Sequence, residues 1–369
     1  MRRGNRQDWW RKFMASTEAA KRVALGMSGG VDSAVAAVIL MRAGYEVVGV
    51  TCRFREGEAT KSAEADAQAV CARLGIEHRV ALCVDEFEQC VVTKFVDQYA
   101  EGLTPSPCVG CNATCKIPSL IAAADELNCE FVATGHYARV AQMIDTGRFA
   151  IKTALDQRKD QSYMLAMLRQ DQLERLLLPL GGMTKTDVRL IAEDLDLPVA
   201  HKQESQDICF IDGDYRSFLA ERGVMCTPGD IVTVDGDVVG HHDGLERFTV
   251  GQRKGIGVAA PKPYYVIEKR METAELVVGF AEDARVSGVV CGQMNYQLVD
   301  RLDKPCEAQV KLRYRSQLAP CIIEPNTAGE GVHIVLASPE AATSSGQFAV
   351  LYSGDTVLGA GMILEVELV

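Results

Sequence analysis

Two groups of residues in this chain have types and spacings that could do chemistry. The first is "GMSGGVDSAV", Gly26 to Val35, which follows the apolar run "RVALGM" and opens a helical pattern. Glycines let a backbone come close to a phosphate, and a helix N-terminus offers unpaired N–H groups and the positive end of a dipole. The run is not a Walker A loop, because no G-K-[ST] follows. It is not a dinucleotide fingerprint either, because G-x-G-x-x-G is absent. An ordinary glycine turn with Asp32 and Ser33 as caps is the purely structural reading. The second group lies in "TPSPCVGCNATC", Thr104 to Cys115, where Cys108 and Cys111 form a C-x-x-C pair and Cys115 follows one helical turn later. Such a pair can be half of a zinc site, a redox dithiol, part of an iron–sulfur ligand set, or the home of a nucleophile. Zinc would need further ligands, and no second C-x-x-C exists. Thiols react as thiolates, formed where positive charge or a helix N-terminus lowers the pKa from about 8.5. Cys111 lies just before the helical pattern of 112–127 and is placed for such help, whereas Cys115 reads as helix core.

S-G-G-x-D-S, here Ser28, Gly29, Gly30, Asp32 and Ser33, is similar to the signature of the PP-loop ATP pyrophosphatases. In that superfamily a carbonyl oxygen attacks the α-phosphate, pyrophosphate leaves, and the adenylated carbon accepts ammonia, an amine or sulfur. Thiols elsewhere in the chain point to sulfur. The motifs "GMSGGVDS", "PSPCVGCN", "ATGHYARV", "RKDQSYML", "DICFI", "GQRKGIGV" and "VKLRYR" occur in the order found in tRNA-specific 2-thiouridylases, which the chain resembles over about residues 21–369.

The resemblance implies ATP with Mg2+ at Gly26, Met27, Ser28, Gly29, Gly30, Val31, Asp32 and Ser33, with Cys52 and Gly135 also at the nucleotide. It implies that Cys111 is the catalytic thiol and that Cys209 carries sulfur as a persulfide, so that Cys111 resolves the Cys209 intermediate as a disulfide or frees hydrogen sulfide from it. Ser106, Pro107 and Cys108 would face the target base, wobble uridine 34. Lys159, Asp160 and Gln161, with Arg313 and Tyr314, would contact tRNA, the acceptors being those for Lys, Glu and Gln. A sulfur donor such as a cysteine desulfurase or a relay protein is implied as partner. Many members carry Asp where this chain has Cys108. A thiol does not replace that carboxylate, since its free pKa lies about four units higher. Cys108, Cys111 and Cys209 could instead be three ligands of a [4Fe-4S] cluster, which leaves a persulfide relay and a cluster route both open. Two further functions compete: another PP-loop ligase with a small substrate, and a nucleotide-binding redox sensor.

The elements that must position these residues follow from periodicity. "RVALGM", "EVVGVT", "HRVALCV" and "EFVATGHYARV" read as buried strands, alternating with helical patterns over 33–43, 62–74, 86–101 and 112–127. Such alternation predicts an α/β fold with a parallel sheet, whose ligands bind at the carboxyl ends of the strands. A helical block over 161–197 follows, with Thr184 and Asp187 forming a capping box. Beyond about residue 220 short strands recur near 264–269, 275–280, 286–291, 306–313, 320–324, 332–337, 347–352 and 356–366, after a hairpin at 230–240. The expected organisation is a flexible extension over 1–20, an N-terminal parallel-sheet PP-loop domain with a helical tRNA-binding insertion over 21–218, a small β-rich central domain over 219–284 and a C-terminal β-barrel over 285–369.

Of 369 residues, 47% are hydrophobic and 24% charged, and no apolar run is long enough for a membrane span. Thirteen cysteines without a secretory signal read as reduced thiols, so a cytoplasmic location is expected. Cys71, Cys83, Cys90, Cys129, Cys291, Cys306 and Cys321 read as core. A net charge of −11 argues against general nucleic-acid coating but not against a local basic face, and Arg and Lys cluster at 252–254, 269–270 and 311–315. His136 reads as structural, and His241 and His242 as surface residues.

Overall fold

The computed structural model describes residues 21–203, 208–326 and 331–369. The extension expected over 1–20 lies outside the described residues. The chain forms two compact units: one takes the chain up to Phe87, Asn112–Ser162 and the segment from Arg169, and the other takes Glu88–Cys111, Tyr163–Leu168 and the remainder.

In the first unit, β1 (Arg22–Gly26), β2 (Glu46–Arg53), β3 (Glu77–Leu82), β4 (Phe131–Ala133) and β7 (Leu176–Leu177) make a five-stranded parallel sheet in the order β3-β2-β1-β4-β7. β1 and β2 are runs of valine, alanine and leucine because helices cover both faces of a parallel sheet. The helix Val31–Arg42 is buried from Val31 to Leu40 except at Asp32, and its Ala34, Ala36 and Ala37 let it lie close to its neighbours. β3 corrects the expectation of a buried strand. It is the sheet edge, and Glu77, Arg79, Val80 and Leu82 face solvent, in keeping with charge on a protected edge. The run 130–140 is not one strand: β4 ends at Ala133, and the chain turns before β5 (Arg139–Gln142), which pairs antiparallel with β6 (Phe149–Lys152). The helical block over 161–197 is mostly short pieces, a 3-10 turn at Ser162–Leu165 and the helix Gln170–Arg175, before the longer helix Lys185–Asp194. Thr184 and Asp187 do form the capping box of that last helix.

The helix carrying the C-x-x-C pair begins at Pro107, runs to Cys111, and passes through a π turn at Asn112–Lys116 into Ile117–Glu126. A wide turn leaves carbonyls needing partners, and the buried Gln172 side chain donates to Ala113 O at 2.9 Å. Cys111 is therefore the last residue of a helical turn, not the residue before a helix, and the expected help from N-terminal N–H groups does not reach it.

In the second unit, β8 (Gly229–Thr233), β9 (Val238–His242), β10 (Tyr265–Arg270) and β11 (Glu275–Gly279) form a four-stranded sheet in the order β10-β11-β8-β9 around Ile231, Phe248, Ile256, Val266, Leu276 and Val278. The strands β12 (Arg285–Tyr296), β13 (Cys306–Lys311), β14 (Ala319–Pro325), β15 (Val332–Ala341), β16 (Phe348–Ser353) and β17 (Thr356–Leu368) run in the order β12-β15-β14-β13-β16-β17. Pairing of β12 with β17 closes them into a barrel and removes both edges. His241 is exposed against Asp230, as expected, but His242 is buried, its Nε2–H donating to Ala274 O and its Nδ1 accepting from Gly244 N–H. Of the cysteines read as core, Cys90 and Cys306 are only half-buried.

Candidate active site

The phosphate loop follows from the end of β1. Met27 N–H donates to Val50 O at 2.8 Å, continuing the ladder one residue past the strand, and Thr51 Oγ1 donates to Met27 O at 2.9 Å. The backbone then turns through Gly29 at φ +67°, where a Cβ would collide with the Ala63 carbonyl. Gly30 is the extended residue before the helix, with no side-chain cap, so the first N–H groups of Val31–Arg42 are left for a ligand. Ser33 Oγ donates to Gly30 O at 3.1 Å and accepts from Ser28 N–H at 3.3 Å, which fixes the loop's curvature.

Two further residues expected at the nucleotide, Gly135 and Cys52, lie on elements that neighbour this loop. Gly135, two residues beyond β4, lies so close that a Cβ would stand 3.0 Å from the backbone of Asp32 and Ser33. Cys52 is the penultimate residue of the neighbouring strand β2, and its contact with Cys83, with help from Ser119, brings the Cys83 thiol down to about 7. His136 is held by Thr134 at 2.7 Å, and burial, with Lys116 adding to it, pushes its pKa down to about 3. It is a neutral group that orders the turn, as expected.

Asp32 is the centre of an arrangement that the sequence did not reveal. Tyr137 Oη donates to Asp32 Oδ1 at 2.8 Å, and Lys185 Nζ donates to Oδ1 at 2.7 Å and Oδ2 at 2.9 Å. The lysine side chain is 12% exposed and the aspartate 32%, so the pair is partly withdrawn from water. Lys202 Nζ donates to Gly29 O at 2.9 Å and pairs with Asp66. Both lysines are distant in sequence from the loop. One signal was available: Lys185 is the first residue of its helix, where a cation works against the dipole, and such local inconsistency often marks function.

The thiols sit in the second unit. Cys108 and Cys209 are exposed and Cys111 is buried. The loop before Ser106, Pro107 and Cys108 is tied to the segment between β15 and β16: Thr104 N–H donates to Ser345 O at 2.9 Å, Ser344 Oγ to Thr104 Oγ1 at 3.0 Å and Gln347 Nε2 to Thr104 O at 2.8 Å. Cys209 is placed by its neighbour Phe210, whose ring is 5.2 Å from Phe95 and 5.7 Å from Phe218. Among the described residues, no three His, Cys, Asp or Glu side chains are gathered as they would be around a metal ion.

Of the expected tRNA contacts, Asp160 is buried and accepts from Ala154 N–H at 2.9 Å and Ser162 Oγ at 2.7 Å, while Gln161 Oε1 accepts from Tyr137 N–H at 2.9 Å. Lys159 is half-buried beside them. In the barrel, Arg313 N–H donates to Ser316 Oγ at 3.3 Å, and the Tyr314 ring is 5.9 Å from Tyr163.

Three family models match in succession: the tRNA methyl transferase HUP domain over 21–213, the tRNA methyl transferase PRC-barrel domain over 216–280 and the aminomethyltransferase beta-barrel domain over 286–363. A tRNA-specific 2-thiouridylase, MnmA, of Carboxydothermus hydrogenoformans is 42% identical over 356 residues, covering 93% of this chain and 97% of its own. The MnmA of Nostoc punctiforme is 40% identical over 348 residues, covering 93% and 99%. The chain belongs to the tRNA-specific 2-thiouridylase family. The domain descriptions speak of methyl transfer and the family's members are named for thiolation; a loop shaped for phosphates serves an ATP-driven thiolation and has no task in methyl transfer. Among solved structures, the U34-tRNA thiolase NcsA from Methanococcus maripaludis with its [4Fe-4S] cluster matches at 20% identity over 58% of this chain and 69% of its own, with a TM-score of 0.36, and nothing is carried from a likeness that low.

Proposed function

We propose that this chain is a cytoplasmic tRNA-uridine 2-sulfurtransferase that adenylates wobble uridine 34 with ATP and replaces its O2 by sulfur. The observation that carries the ATP step is the loop Ser28–Ser33 with Asp32 gripped by Lys185 and Tyr137. The uridine O2 attacks the α-phosphate and pyrophosphate leaves. The loop's N–H groups and the ammonium of Lys185 offset the charge that builds on the phosphates. Mg2+ is held by one or two carboxylates together with a nucleotide's own phosphates, and Asp32 is the carboxylate at hand.

Sulfur arrives on Cys209 as a persulfide, formed when a donor protein's persulfide passes its terminal sulfur to the Cys209 thiolate. The terminal sulfur attacks C2 and AMP leaves, giving a C2–S–S–Cys209 linkage. Cys111 thiolate attacks the Cys209 sulfur, which breaks that S–S bond and leaves 2-thiouridine and a Cys111–Cys209 disulfide. A dithiol reductant returns the disulfide to thiols. Delivery from an iron–sulfur cluster held by Cys108, Cys111 and Cys209 is the competing sulfur route, and iron content separates the two. The domain limits 21–218, 219–284 and 285–369 are part of the same proposal, with Lys159, Gln161, Arg313 and Tyr314 on the tRNA, the buried Asp160 fixing the segment beside them, acceptors for Lys, Glu and Gln as substrates, and Ser106, Pro107 and Cys108 at the base.

Pyrophosphate release tests the ATP step. With unmodified tRNA it should rise well above its rate without tRNA, and Asp32→Asn should abolish the increase. Release indifferent to tRNA would favour a PP-loop ligase with a small substrate. Iron and acid-labile sulfide in protein purified without oxygen test the sulfur route: iron-free protein that thiolates agrees with the persulfide, and about four irons per chain, lost in Cys108→Ala, would replace it with a cluster.

A further inference from the structure

The loop Gly251–Val258 of the small sheet carries two cations that neither the fold nor the adenylation chemistry uses. Arg253 and Lys254 are exposed, and among the described residues neither side chain has a hydrogen-bond or ion-pair partner. The other exposed cations Arg247, Lys262 and Arg270 have carboxylates at hand: Arg247 lies beside Asp243, Lys262 beside Glu282, and Arg270 beside Glu268 and Glu275. In a chain of net charge −11, two adjacent cations left without carboxylates mark a place where negative charge is supplied from outside.

The loop that presents them is built rigidly. Gly251 N–H donates to Val266 O at 2.8 Å and Val266 N–H to Gln252 O at 3.0 Å, which fastens its start to β10. The Gln252 side chain accepts from Thr249 N–H at 3.1 Å and donates to Lys254 O at 2.8 Å, so it braces the turn from inside. Ile256 is buried in the sheet's core, 7% exposed, and anchors the far side. Gly255 and Gly257, at φ +81° and +84°, carry the backbone over a cavity of about 370 Å3 lined by Arg253, Gly255, Gly257, Pro263 and Tyr264 among others. A fixed loop loses little entropy when a ligand arrives, and a guanidinium fork with a neighbouring ammonium suits phosphate oxygens.

We infer that Arg253 and Lys254 bind the sugar-phosphate backbone of the tRNA substrate, as a contact of the central sheet that adds affinity without reading sequence. The inference rests on the tRNA reading proposed above. Contacts of this kind fix the position of a nucleic acid and make binding depend on salt.

The test is equilibrium binding of the full chain to an unmodified tRNA transcript across a range of KCl, comparing wild type with an Arg253→Ala/Lys254→Ala double variant. Arg79→Ala, on the edge strand β3, serves as the charge control. The double variant should bind roughly tenfold more weakly near 0.1 M salt, with its log–log salt slope shallower by about 1.5, and the control should match wild type. A double variant with wild-type affinity and slope overturns the inference. So does a defect confined to sulfur delivery by a donor protein, which would make the loop a protein-docking site. Wild type that does not bind tRNA at all overturns the underlying reading, and the loop contact with it.

Discussion

Asp32 shows how one residue can be legible in type and opaque in partnership. Its place in S-G-G-x-D-S announces a phosphate site, but Tyr137 and Lys185, which hold its carboxylate, come from segments that no local pattern joins to it. At the proposed ATP site, removing Lys185 leaves the Asp32 carboxylate without its counter-charge. Lys185→Ala is expected to lower kcat/KM for ATP by about a hundredfold and Tyr137→Phe by about tenfold, because breaking a partly buried charged hydrogen bond costs about 1.5–3 kcal/mol and a neutral donor contributes less. Steady-state pyrophosphate release at varied ATP checks both. Lys269 gives a separate prediction. Its ammonium is buried without a hydrogen bond, and burial pushes its pKa down to about 8, against an opposing pull from Glu246. A lysine lowered on folding binds fewer protons folded than unfolded between about pH 8 and its ordinary value near 10.4, so stability rises with pH in that window. Below pH 8 both states are protonated and the contribution is flat. Lys269→Met should lose this rise, read as a shallower increase in unfolding free energy from pH 8 to 10 than in wild type.

At the level of elements, the strands of the second unit were readable because half-buried antiparallel strands alternate and end in turn residues: 275–280 and 306–313 became Glu275–Gly279 and Cys306–Lys311. Interruptions were not readable. The π turn at Asn112–Lys116 leaves the apolar spacing on either side intact, so Cys111 looked like a residue before a helix when it ends one. The break after Ala133 was equally hidden, because Gly135 is there for a reason that lies across the fold, the close passage of the Asp32–Ser33 backbone. Gly135→Ala sets a methyl against main chain that has little room to yield. The variant should remain folded by circular dichroism and raise the KM for ATP at least tenfold, and an unchanged KM would remove Gly135 from the nucleotide site.

At the scale of the whole molecule, the sequence contained the class of architecture, a parallel sheet followed by β-rich segments, since both periods are written locally. It did not contain the way the chain is shared between units. Glu88–Cys111 and Tyr163–Leu168 belong with the later sheets although the sequence places them among the βα units. The consequence is chemical: Cys108, Cys111 and Cys209 share a unit, and the phosphate loop lies in the other. Nucleotide chemistry and sulfur chemistry should therefore be separable by mutation. The most direct measurement is a single turnover of unmodified tRNA with ATP by protein first exposed to a persulfide donor, quantifying 2-thiouridine, AMP and pyrophosphate together, in wild type, Cys111→Ala and Cys209→Ala. The account predicts one 2-thiouridine per AMP in wild type, and pyrophosphate release without free 2-thiouridine in both variants. Thiolation that persists in Cys209→Ala, or 2-thiouridine formed without AMP, would contradict it.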